Sequence, residues 1–78
     1  MHRLMKMQLS IKAETGKTIA IEAEPTETIS EIKVKINHKE GVPTHTQRLT
    51  LAGTQLVDHN TLTNYNIQDG ATLKLGNE

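Results

Sequence analysis

The stretch "TISEIKVKINHKEGVP", residues 28–43, carries the start and stop signals of one complete helix, and its reading decides the fold. Thr28 and Glu31 stand three residues apart, as a capping box requires. The threonine hydroxyl accepts from the Glu31 amide, while the glutamate carboxylate accepts from the Thr28 amide. Ile29, Ile32 and Ile36 recur at helical spacing and form one apolar stripe, with Val34 at its margin. The helix is expected to end near Glu40, because Gly41 suits the left-handed position past the last turn and Pro43 cannot continue it. A single helix over about 28–40 then needs a sheet face to cover its isoleucines.

Both flanks supply strands. Upstream, "MQLSIKA" (7–13) alternates Met7, Leu9, Ile11 and Ala13 with Gln8, Ser10 and Lys12, and "TIAIEAE" (18–24) repeats the pattern with Ile19, Ile21 and Ala23. The intervening "ETGK" (14–17) reads as a bulged hairpin turn with Gly16 at positive φ. Downstream, "QRLTLAG" (47–53) sets Leu49 and Leu51 against Arg48 and Thr50, and "AGTQL" turns into a very short strand around Gln55 and Leu56. A helical turn at about 61–65 is expected within "NTLTNYNI", capped by Asn60 or Thr61. "QDG" is a turn with Gly70 at positive φ, and "TLKL" (72–75) closes the sheet before the alternation stops at Gly76-Asn77-Glu78. The expected class is α+β: a sheet of four to five strands packed on one helix, with no internal repeat and no second domain.

Composition narrows the function. Of 78 residues 35% are hydrophobic and Tyr65 is the sole aromatic, so the core is aliphatic. Nine basic and nine acidic side chains cancel. Nucleic acid and anionic membranes both select a basic face, so neither is the expected partner. The absence of cysteine removes both disulfides and a thiol nucleophile. No apolar run approaches the ~20 residues of a membrane span, and no signal-peptide core is present, so an intracellular setting, cytoplasm and/or nucleus, is expected. His2, His38, His45 and His59 are scattered without metal-ligand spacing. "TGKT" (15–18) lacks the first glycine and the following helix of a phosphate loop. No catalytic residue, metal or cofactor is expected, and the chain does not read as an enzyme.

The order of "TGKTI", "EAEPTETI", "KINHKEGVP", "QRLTLAGTQL" and "TLTNYNIQDGATLKL" goes further. In that order and spacing, from Met7 to Leu75, the chain resembles the ubiquitin family. The resemblance implies the β-grasp fold, a mixed sheet wrapped around one helix. It divides the chain into an N-terminal extension (1–6), the ubiquitin-like domain (7–76) and a C-terminal stub (77–78). Within the extension, Leu4 and Met5 are expected to lengthen the first strand or pack at its edge. The resemblance also gives Tyr65 the role of tying down a nearby loop backbone and makes Lys33 and Asp58 a partly shielded ion pair, both structural roles.

In that family function lives at two places. Covalent modifiers end in a flexible tail closing on Gly-Gly, which enters an activating enzyme; here Gly76 is followed by Asn77 and Glu78. The family's other site is an exposed apolar patch built from a leucine, an isoleucine, a histidine and a valine. The matching positions here are Glu14, Thr50, Lys74 and Gly76. Ser10 stands where the family exposes a phenylalanine, with Ala20 beside it. Lys12, Lys17, Lys33, Lys35 and Lys39 match family lysines, whereas Thr54 and Asp69 replace the two used most in chain building. The expectation is a non-conjugatable protein-interaction domain of a larger protein, monomeric when isolated. Its protein partner is expected on the polar sheet face around Thr50, formed by Lys12, Glu14, Arg48, Thr50, Gln55, Lys74 and Gly76. The alternative is a covalent modifier whose Gly-Gly tail lies outside these residues; a decoy competing with ubiquitin ranks third.

Overall fold

The computed structural model describes residues 6–77. Leu4 and Met5, expected to extend the first strand, lie outside the described residues, as does Glu78.

The helix forms where its signals place it. Helix α1 spans Ile29–Glu40, with Thr28 as its extended N-cap. The Glu31 amide donates to Thr28 Oγ1 at 3.2 Å, and the Thr28 amide donates to Glu31 Oε1 at 2.8 Å. At the other end Gly41 adopts φ 75° and its amide donates to the Asn37 carbonyl at 2.7 Å. Ile29, Ile32 and Ile36 are fully buried. Val34 is 42% exposed, so it stands on the solvent side of the helix and not at the margin of the stripe.

Five strands make one sheet: β1 (Met7–Ala13), β2 (Thr18–Ala23), β3 (Gln47–Leu51), β4 (Thr54–Gln55) and β5 (Thr72–Asn77). Their spatial order is β2-β1-β5-β3-β4. The first and last strands run parallel at the centre, and every other pairing is antiparallel. Inward residues such as Leu9, Ile11, Leu49 and Leu73 pack under the helix, while Gln8, Lys12, Arg48 and Lys74 face solvent. This mixed sheet on one helix is the β-grasp arrangement.

Three boundaries depart from the sequence pattern. The last strand does not stop at Leu75: Gly76 pairs with Arg48 and Asn77 with Gln47. Backbone pairing needs no side-chain alternation, so a glycine and an asparagine extend the ladder. The short fourth strand is Thr54–Gln55, whereas Leu56 turns inward, 3% exposed, with its amide on the Leu49 carbonyl at 2.9 Å. The helical turn contracts to a 3₁₀ turn at Thr63–Tyr65. Thr61 rather than Asn60 supplies its local box: the Asn64 amide donates to Thr61 Oγ1 at 3.0 Å, and the Thr61 amide donates to Asn64 Oδ1 at 2.9 Å.

Lysines of α1 also close the outer edge of β2. Lys39 Nζ donates to the Ala20 carbonyl at 2.8 Å and Lys35 Nζ to the Glu22 carbonyl at 2.7 Å. These two carbonyls are thereby withheld from any further strand, which blunts one sheet edge against aggregation.

Candidate protein-binding face

Strand register assembles the outer face. Thr18 lies opposite Lys12, Lys12 beside Lys74, Lys74 opposite Thr50, and Thr50 opposite Gln55. One straight row therefore crosses all five strands, each step about 4.8 Å. Every side chain in it offers a hydrogen-bond donor, and none is a carboxylate.

Around this row lie the remaining residues expected at the face. Arg48 and Gly76 pair two residues along the strands, and Glu14 follows Ala13 into the hairpin turn. A shallow hollow of about 380 Å³ is lined by Lys12, Glu14, Arg48, Thr50, Lys74 and Gly76, six of the seven residues read from the sequence. Gln55 joins through its register with Thr50 and lines an adjoining hollow with Arg48. Thr18 completes the row and was not among the expected residues. Its position follows from the hairpin: Ala13 and Lys17 close the four-residue loop through a 2.8 Å backbone bond, which fixes Thr18 opposite Lys12.

The lysines divide sharply by environment. Five of the seven have partners: Lys6 on Glu22 (3.4 Å), Lys17 on Glu40 (2.8 Å), Lys33 on Asp58 (2.6 Å), Lys35 on Glu27 (2.8 Å) and Lys39 on the Ala20 carbonyl. Lys12 and Lys74 have no hydrogen-bond or ion-pair partner among the described residues, yet they are register neighbours. Adjacent like charges on neighbouring strands repel, so nothing internal accounts for their placement.

Other chemistry is sparse. No cluster of three or more His, Cys, Asp or Glu able to hold a metal occurs among the described residues. His38, His45 and His59 lie apart on α1, the 3₁₀ turn Thr44–Thr46 and the loop before Thr61, and His2 lies outside the described residues. The "TGKT" segment forms the β1–β2 turn and the start of β2. Among the described residues no helix is long and apolar enough to cross a membrane.

A family model described as "Ubiquitin family" matches residues 9–76. The chain belongs to the ubiquitin family. It is 44% identical to the NEDD8-like protein RUB3 of Arabidopsis thaliana over 69 residues, covering 88% of both chains. It is 39% identical to the ubiquitin-like protein NEDD8 of Dictyostelium discoideum, covering 88% of this chain and 90% of that one. It is also 38% identical to the AN1-type zinc finger protein 4 of Mus musculus, where the match spans only 9% of the larger protein. The ubiquitin fold thus occurs among these relatives both as nearly a whole protein and as a small part of a larger one.

The ubiquitin-like residues given structural roles take them up here. Tyr65 Oη accepts from the Val57 amide at 2.7 Å, fixing the loop before it. The Lys33 ammonium reaches Asp58 Oδ1 at 2.6 Å from a side chain only 11% exposed. Behind it Gln47 Nε2 donates to the Lys33 carbonyl at 2.9 Å and to the Val42 carbonyl at 3.0 Å. Gln47 is itself 5% exposed, a buried polar link between α1, the following loop and β3.

Proposed function

We propose that this chain is a non-conjugated ubiquitin-like domain that binds a protein partner non-covalently through the polar outer face of its sheet. The observation that carries this reading is the row Thr18–Lys12–Lys74–Thr50–Gln55. Polar donors occupy the surface where the family's apolar patch would lie, so recognition runs on hydrogen bonds and charge. Such groups set specificity and association rate more than raw affinity. The match to a 9% segment of a zinc finger protein supports service as part of a larger chain.

A second reading, a covalent modifier, is favoured by relatives such as RUB3, of which the match covers 88%. An immunoblot of the endogenous protein under denaturing conditions separates the two. One discrete band, unchanged by deubiquitinating-type proteases, is expected for the binding domain. A ladder of adducts that such proteases collapse would replace it with the modifier.

A further inference from the structure

We infer that the occupant of this face is an acidic polypeptide segment, whose carboxylates bridge Lys12 and Lys74. The inference rests on the reading of the sheet face as a partner surface and names the chemistry of that partner.

Three observations carry it. First, Lys12 and Lys74 are the two lysines without a partner among the described residues, while the other five are engaged. Second, they are register neighbours on parallel strands, and both are exposed. Strands about 4.8 Å apart set their Cα atoms at a spacing that lets one carboxylate sit between the two ammonium groups. Such an anion turns mutual repulsion into two charge-assisted hydrogen bonds. Third, the flanking members of the row, Thr18, Thr50 and Gln55, are neutral donors that extend the same preference to either side. Glu14 lies off the row beside Gly76 and Arg48. It marks a boundary: an acidic ligand runs along the row and away from the hairpin turn.

An extended polypeptide suits this geometry better than a polyanion. Two lysines without a partner among the described residues, in a chain of zero net charge, give a local site and no continuous basic stripe. The row is straight and shallow, with Thr50 only half-buried between Lys74 and Gln55, so a side-chain carboxylate reaches it without a deep pocket.

The test is a titration of the ¹⁵N-labelled chain with three peptides of one length: alternating Glu and Ser, its Gln counterpart, and an amphipathic apolar helix. The Glu peptide is expected to shift the amides of Lys12, Lys74, Thr50 and Gln55 and to weaken steeply as salt rises. In K12E/K74E its affinity is expected to fall about tenfold or more. K12S/K74S serves as a second variant that removes charge without reversing it, and thermal melts confirm that both fold. If the Gln or apolar peptide shifts this face while the Glu peptide does not, the acidic assignment is overturned and the binding-face reading stands. If no peptide moves it, both fall. Anionic vesicles or a single-stranded oligonucleotide binding more tightly than the Glu peptide overturn the polypeptide assignment.

Discussion

The phenolic oxygen of Tyr65 accepts the Val57 amide proton at 2.7 Å and receives a second, longer donation from Asn60 Nδ2 at 3.3 Å. One hydroxyl thus holds two points of the loop that leads from β4 to the 3₁₀ turn. Tyr65→Phe keeps the ring packed against the core and removes only that acceptor. The expected loss is about 1 kcal/mol, toward the lower end for a bond whose Val57 partner is exposed to water. Urea denaturation reads this as a lower midpoint at an unchanged slope. Faster hydrogen exchange confined to the Val57–Asn60 loop would locate the effect.

Glu27 makes stability depend on pH. Burial pushes its carboxyl upward, but the hydrogen bond from Lys35, the Glu24 amide and the charges of Lys35 and Lys6 together hold it below its usual range. The ion pair to Lys35 measures 2.8 Å, as does the hydrogen bond from the Glu24 amide. A carboxyl lowered by folding contributes stability above its unfolded pKa and loses it as pH falls through the folded one. Glu27→Gln is therefore expected to be less stable near neutrality, with the gap to the natural chain closing below about pH 4.3. Denaturation midpoints measured from neutral to acid pH check it; a gap that stays constant would remove Glu27 from the acid limb.

Much of this fold was legible because local chemistry and global packing agree. Thr28, Glu31 and Gly41 marked the helix ends, and strict alternation marked β1, β2 and β3. The face was legible through the family resemblance, which set Glu14, Thr50, Lys74 and Gly76 at the positions of the apolar patch. What escaped was set by register. Thr18 becomes a neighbour of Lys12 only once the hairpin loop closes, and Gly76 joins β5 through backbone bonds to which no side chain testifies. Gln47 is a polar residue buried by its hydrogen bonds to the Lys33 and Val42 carbonyls, a circumstance that hydropathy does not report, whereas the shielded Lys33–Asp58 pair was implied by the resemblance.

The turn between β3 and β4 was read from "AGTQL", but the backbone conformation inside it was not. Ala52 (φ 52°) and Gly53 (φ 85°) both take positive φ between the paired residues Leu51 and Thr54. Two-residue hairpins of this kind favour Asn, Asp or Gly at the first position, since a Cβ there crowds the backbone. Ala52 is exposed, so a larger polar side chain meets no obstacle. Ala52→Asn is expected to stabilise the domain by about 0.5–1 kcal/mol, or roughly 3–6 °C in Tm for a chain of this size. Ala52→Val should act in the opposite direction, because a β-branched side chain is least tolerant of positive φ. Calorimetry on the pair decides it, and equal melting points would remove strain from the account.

The sharpest prediction concerns the face itself. If side chains alone separate it from the family's apolar patch, restoring them restores binding to ubiquitin-binding modules that insert an apolar helix. Glu14→Leu, Thr50→Ile, Lys74→His and Gly76→Val together make that change. Gly76 is the doubtful position in principle, yet a Cβ there meets the Arg48 carbonyl oxygen at 3.8 Å, with Arg48 Cβ and Glu14 Oε2 at 3.9 Å, all ordinary contacts. Thr50→Ile keeps the β-branch that the strand favours. Each buried aliphatic group contributes roughly 1.5–3 kcal/mol and about 1.4 kcal/mol is a factor of ten, so several anchors lift a negligible affinity into the micromolar range. Calorimetric titration is expected to show no binding by the natural chain and micromolar binding by the variant, with binding of the acidic peptide lost in exchange. A folded variant that stays silent would mean that backbone shape, and not these four side chains, excludes such partners. Binding by the unaltered chain would mean that the polar row does not exclude them at all.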